Sequence, residues 1–169
     1  MIDSFPIPVC DNYRIPRAKL YHDERYRAYQ ASKRRFYYGL KLHLLVTQSG
    51  QPVECFLTPG SYSDVKGLRD LAFDLPPDSE IYADKAYTDY EVEDVLADVR
   101  LHLLPMRKSN SKRPAPLWLC YLQARYRKII ETTGSLLERF LPKSIHAVTS
   151  QGFELKVVLF VLALSINAL

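Results

Sequence analysis

Apolar and polar positions alternate most clearly between Phe36 and Thr47, where Leu40, Leu42, Leu44 and Val46 recur at period two. That spacing predicts a β-strand with one face in a core. Gln48-Ser49-Gly50-Gln51 supplies turn residues, and Pro52 to Thr58 forms a second run, so the two predict a β-hairpin. Upstream, Ile2 to Phe5 reads as the end of a strand stopped by Pro6 and Pro8, since proline cannot donate to a ladder. Residues 10–35 read as polar and irregular. After Pro59-Gly60, Ser63 caps a predicted helix running to about Phe73, with Asp64 in its first turn. Glu80 to Asp84 predicts a short buried strand. Thr88 and Glu91 predict a capping box for a helix to about Asp98, and Leu101 to Leu104 a further strand. Leu122, Tyr126, Ile129, Ile130, Leu137 and Phe140 recur at helical spacing, so a helix is expected over Tyr121 to Leu141, ended by Pro142. A last helix is expected from about Gln151 to Ala168. The whole is a mixed α/β chain forming one domain over residues 1–169, with a basic loop at 105–120.

A length of 169 residues suits one domain with a sizeable core. The net charge of +4 permits nucleic-acid binding without requiring it. Cys10, Cys55 and Cys120 are odd in number and form no C-x-x-C pair, which argues against a zinc site or disulfide framework and for a reducing cytosol. The apolar run from Leu155 to Leu169 is short for a membrane span and is broken by Lys156, Ser165 and Asn167, so a buried core helix is expected and no membrane partner.

Three acids at the ends of apolar segments carry the candidate chemistry. Asp84 closes Ile81-Tyr82-Ala83, where a strand gives way to a loop, and strand carboxyl ends are where open α/β sheets place sites. The alternative is an exposed Asp that starts a turn. Asp3 is placed near the carboxyl end of its strand, where it could lie beside Asp84; composition alone reads it as a solvated terminal residue. Glu131 shares a helix face with Arg127 and Glu138, and periodicity alone makes that a solvated ion-pair face. Converging carboxylates are how proteins hold Mg²⁺ against a phosphodiester. Arg107, Lys108, Lys112, Arg113, Arg125, Arg127 and Lys128 follow one another without an acid, interleaved with Trp118, Tyr121 and Tyr126. Cations with aromatics suit phosphate contacts and base stacking, or else a solvated loop. A second basic stretch spans Arg14 to Arg35. Residues 74–98 carry nine acids against Lys85 alone, so this helix is expected to face away from DNA. His43 and His102 fall in strands and read as packing or hydrogen-bonding residues.

Several segments form an ordered set of motifs along the chain. They are Asp-Ser-Phe-Pro-Ile-Pro-Val-Cys at 3–10, Tyr-Gly-Leu-Lys-Leu-His-Leu-Leu-Val-Thr at 38–47, and Leu-Thr-Pro-Gly at 57–60 with Asp64. Ala-Asp-Lys-Ala-Tyr at 83–87 and Arg-Lys-Ile-Ile-Glu-Thr at 127–132 complete them. In order and spacing these segments resemble the DDE transposases of bacterial insertion sequences, most closely the insertion sequence 982 type. The resemblance implies an RNase H-like fold, a five-stranded mixed sheet with helices on both faces. It implies that Asp3, Asp84 and Glu131 bind two Mg²⁺ ions, with Mn²⁺ able to substitute, and catalyse DNA cleavage and strand transfer. Arg127 matches an Arg of related transposases, and Lys85 and the other cations would contact DNA. The implied partner is double-stranded DNA, both transposon ends and target, with a homodimer when full length, in a bacterial or archaeal cytoplasm near the nucleoid. Glu138 stands where related families often have Lys, and Ala83 and Ala86 replace glycines, which would strain any position needing positive φ. The resemblance also implies a missing N-terminal DNA-recognition region and a first strand reduced to Met1-Ile2-Asp3, hence a poorly soluble or partly unfolded protein. The alternative is a non-catalytic DNA-binding or inhibitory fragment, or an inactive remnant.

Overall fold

The computed structural model describes residues 1–142 and 144–167. A six-stranded mixed sheet forms its centre. The strands are β1 (Ile2–Asp11), β2 (Arg27–Gln30), β3 (Arg35–Val46), β4 (Pro52–Pro59), β5 (Ser79–Ala83) and β6 (Leu101–Pro105). The helices are α1 (Asp64–Arg69), α2 (Tyr90–Asp98), α3 (Leu117–Phe140) and α4 (Ser150–Asn167). The Ala168 end expected for the last helix lies outside the described residues.

β3 organises the sheet. β1 runs antiparallel along one of its edges, while β2 and β4 share the other edge end to end. β5 and β6 pair in parallel over five positions, and β5 meets β1 in parallel at one pair, Ile2 with Ala83. The period-two leucines of β3 bury against α3 and α4, in a core of Leu40, Leu42, Leu44 and Val46 with Ile130, Leu137, Phe153 and Val157. On the other face, Ile2, Leu45, Ile81 and Ala83 pack with Leu68 of α1, Tyr87 and Leu96 of α2.

β1 is longer than expected: it is a ten-residue strand that passes through Pro6 and Pro8, so neither the stop nor the reduction to Met1-Ile2-Asp3 holds. The reason is ladder phase. Met1 and Val46 exchange both backbone bonds, at 2.8 and 2.9 Å. Alternation along an antiparallel pair then turns the backbone nitrogens of Pro6 and Pro8 away from β3, toward an edge that β5 does not follow. No donor is lost. The sheet has six strands rather than five because Arg27–Gln30, within the segment expected to be irregular, pairs with the start of β3.

The helices also differ in four respects. α1 stops at Arg69, because Leu71, Phe73 and Leu75 follow at period two and pack on the second core. The cap of α2 is Asp89, whose carboxylate accepts from the Glu91 amide, while Thr88 turns back to the Lys85 carbonyl. α3 begins at Leu117, directly after Pro116, which shortens the basic loop. α4 buries only the stripe Phe153, Val157, Val161 and Leu164, leaving Leu155, Val158, Leu159, Leu162 and Ile166 exposed.

Two glycines set the spacing around β1. A Cβ on Gly39 would stand 2.2 Å from the Ile7 carbonyl oxygen, beside the bulge between Pro8 and Cys10. A Cβ on Gly134 would stand 2.1 Å from the Phe5 ring, so Gly134 lets α3 lie close on β1. Gly39→Ala must push backbone off backbone, and overpacking of this kind costs about 1–3 kcal/mol. Urea denaturation should show a loss of about 2 kcal/mol; unchanged stability would contradict the close β1–β3 contact.

Candidate active site

The parallel pairing of Ile2 with Ala83 places the next residue of each strand, Asp3 and Asp84, side by side. Asp84 stands at the carboxyl end of β5, as expected. Asp3 does not: it is the second residue of a long strand, near its amino end. Strand alternation puts Asp3 on the face of Met1, Phe5 and Ile7, beneath α3. That helix is held at three points. Gln123 donates to the Leu104 carbonyl at 3.1 Å, Thr133 donates to the Gly50 carbonyl at 3.0 Å, and Gly134 receives Phe5. Glu131 and Arg127 lie between these anchors, on the outer face of α3.

Arg127 ties the acids together. Its Nε donates to Glu131 Oε1 at 2.9 Å and its NH1 lies 3.9 Å from Asp84 Oδ1. The hydrogen bond to Glu131, then the charge of Asp84, raises the Arg127 pKa. Burial pushes the Asp3 pKa up to about 6; the Ser4 amide and Arg127 oppose this, and the charges of Asp84 and Asp64 add to it. Asp3 Oδ1 accepts from the Ser4 amide at 2.8 Å, and Asp84 Oδ1 from the Lys85 amide at 2.7 Å. The second oxygen of each carboxylate has no hydrogen-bond donor among the described residues. Paired carboxylates with free oxygens are the hard donors that Mg²⁺ or Mn²⁺ takes, so Asp3 and Asp84 fit such an ion. Among the described residues no three acid, His or Cys side chains stand close enough to enclose one. Glu131 is instead bonded to Arg127.

A buried polar group under the opposite face holds the turn that carries Asp84. Residues 85–87 form a single 3₁₀ turn whose Tyr87 amide donates to the Asp84 carbonyl at 3.0 Å. The Tyr87 hydroxyl meets His43 Nδ1 at 2.8 Å, and His43 Nε2 meets the Thr58 hydroxyl at 3.0 Å. The His43 ring stacks on Phe56, and Gly67 leaves room for it. Burial pulls the His43 pKa down to about 4, so the ring is neutral at pH 7 and each nitrogen finds a hydroxyl. Beside it Lys41 bonds Asp64 at 3.2 Å and the Tyr62 carbonyl at 2.7 Å. The hydrogen-bonding role expected for His43 is what the structure has. Tyr87, Thr58 and Lys41 were not singled out by residue type, although each falls within a segment of the family resemblance. Ala83 and Ala86 are absent from the positive-φ residues, so replacing glycine there strains nothing.

The seven cations divide. Lys108, Lys112, Arg125, Arg127 and Lys128 are exposed, as is Lys85. Arg107 is not free: both its terminal nitrogens lie 2.7 Å from Glu93, and the pair is largely buried. Arg113 grips Asp94 at 2.8 and 2.9 Å. The acidic helix α2 therefore holds the basic loop through Glu93 and Asp94. Trp118 and Tyr121 are exposed, whereas Tyr126 packs on Tyr82 with ring centroids 4.5 Å apart.

The Asp3 shift has a stability consequence. Its folded pKa, about 6, lies above its ordinary value of 3.8, so folding favours the protonated acid. Stability from this group is full below pH 4 and is lost as pH rises through 6. Asp3→Asn should therefore match the wild type near pH 3.5 and exceed it by up to about 3 kcal/mol at pH 7.5. A stability difference that does not grow with pH in paired denaturation curves would contradict the burial of this carboxylate.

No curated protein and no solved structure matches the chain. The family model described as "Transposase DDE domain" matches residues 1–145, which span β1 to α3 and hold Asp3, Asp84 and Glu131. The chain belongs to the DDE transposase family.

Proposed function

We propose that this chain is a transposase catalytic domain of RNase H-like fold that cleaves DNA at insertion-sequence ends and joins the freed strand to a target, most like the insertion sequence 982 type. The supporting observation is the adjacency of Asp3 and Asp84 beneath a helix that brings Glu131 and Arg127 to the same place. Helices on both faces of a mixed sheet agree with the fold. Asp3, Asp84 and Glu131 would hold two Mg²⁺ ions, or Mn²⁺, in the cytoplasm. Bound there, such ions supply Lewis acidity at phosphorus and lower the pKa of an attacking water. The protein's own part is placement. The Ile2–Ala83 register holds two carboxylates together, the Tyr87–His43 contact steadies the turn behind Asp84, and Lys85 and Arg127 present donors to phosphate. Lys108, Lys112, Arg125 and Lys128 extend that cationic surface for double-stranded DNA. Arg107 and Arg113 contribute by shaping the loop through α2.

A second reading is DNA binding without turnover, favoured by the engagement of Glu131 with Arg127. Asp84→Asn separates the two. With an active enzyme, Mg²⁺-dependent cleavage of duplex carrying the element's ends should fall about 100-fold or more while gel-shift affinity persists. Cleavage at the wild-type rate in the variant would overturn the assignment, and binding with no cleavage by either protein would favour the second reading.

The contact behind Asp84 has its own test. Tyr87→Phe removes one partner of a buried ring nitrogen, a change that costs about 1–3 kcal/mol. Thermal or urea denaturation should register that loss, and a variant as stable as the wild type would show that the hydroxyl does not hold the turn.

A further inference from the structure

Arg127 lies between the two carboxylates that a divalent ion would need to join. Its Nε contacts Glu131 at 2.9 Å, and NH1 reaches to within 3.9 Å of Asp84. Asp3 stands beside Asp84 through the Ile2–Ala83 pairing. One guanidinium thus lies between Glu131 of α3 and Asp84 at the end of β5, with Asp3 of β1 next to the latter. No three acids among the described residues are close enough to enclose an ion while it does so.

We infer that Arg127 is a displaceable counter-ion: it neutralises the site before metal arrives, and it must swing away from Glu131 for a divalent ion to bind all three acids. This rests on the reading of Asp3, Asp84 and Glu131 as metal ligands. The geometry allows the movement. Arg127 projects from the outer face of α3, its side chain is 45% exposed, and no core contact depends on it. The charges supply the competition. Three carboxylates and one guanidinium sum to about −2, and removal of the guanidinium leaves about −3 facing the incoming cation. The released guanidinium carries five donors in a fixed fork that matches a phosphate. A DNA phosphate that takes Arg127 frees Glu131, so phosphate and metal each promote the other's binding.

The test is direct Mn²⁺ titration, reading free ion by electron paramagnetic resonance, on the full chain without DNA. Arg127→Gln should bind Mn²⁺ about 5-fold or more tightly than wild type, with Arg127→Lys between them, since a lysine keeps the charge but cannot bridge two carboxylates. Adding a short DNA duplex should tighten Mn²⁺ binding to wild type by a similar factor and leave Arg127→Gln nearly unchanged. Equal or weaker Mn²⁺ binding by Arg127→Gln, in a protein whose Mn²⁺ binding is lost in Asp84→Asn, would overturn this inference alone. Mn²⁺ binding indifferent to Asp84→Asn would instead overturn the metal site itself.

Discussion

One backbone pairing, Ile2 with Ala83, joins the two halves of this sheet and carries the site. On one side stand β1, β3, β2 and β4, and on the other β5 and β6. A slip of one residue along this seam would turn Asp3 to the opposite face, since side chains alternate at period two. Register is protected from the β3 side. Met1 and Val46 exchange bonds, and Leu40, Leu42 and Leu44 of β3 bury on the face covered by α3 and α4, so β1 has one phase that keeps Phe5 and Ile7 in that core. Gly134 then lets α3 approach Phe5 closely, and Arg127 of that helix reaches to 3.9 Å from Asp84.

The site lowers stability for the sake of placement. Burial raises the Asp3 pKa, so an ionised Asp3 is disfavoured in the fold. Arg127 offsets part of that charge from an exposed position, where an ion pair contributes little by itself. The opposite face compensates differently. There the polar groups Tyr87, His43 and Thr58 satisfy one another in a dry setting, which makes the Asp84 turn rigid. A destabilised Asp3 beside a turn held from behind is the usual arrangement of a stability–function trade-off.

The period-two leucines made β3 legible although both of its faces are buried, and the turn at 48–51 marked β4 as its hairpin partner. β1 was not legible beyond Phe5. Whether a proline breaks a strand depends on which way its nitrogen points, and that is set by a partner 30 to 40 residues away. β2 has too few apolar residues to signal and gains its place only by pairing with β3. In the site, Asp84 was marked by the end of an apolar run. Glu131 was not marked by its helix, whose periodicity assigned it to an ion-pair face, and the structure has it there with Arg127. The family pattern, not the residue spacing, singled it out. The basic stretch misled in part, since Arg107, Arg113 and Tyr126 are taken up by Glu93, Asp94 and Tyr82 through tertiary contacts that composition does not encode.

Anomalous diffraction at the manganese edge, from crystals of the chain grown with Mn²⁺, tests the central claim most directly. The carboxylate pair predicts a peak bridging Asp3 and Asp84 at about 2.1 Å from an oxygen of each, as hard six-coordinate cations require. Well-ordered Asp3 and Asp84 side chains with no peak between them would contradict it.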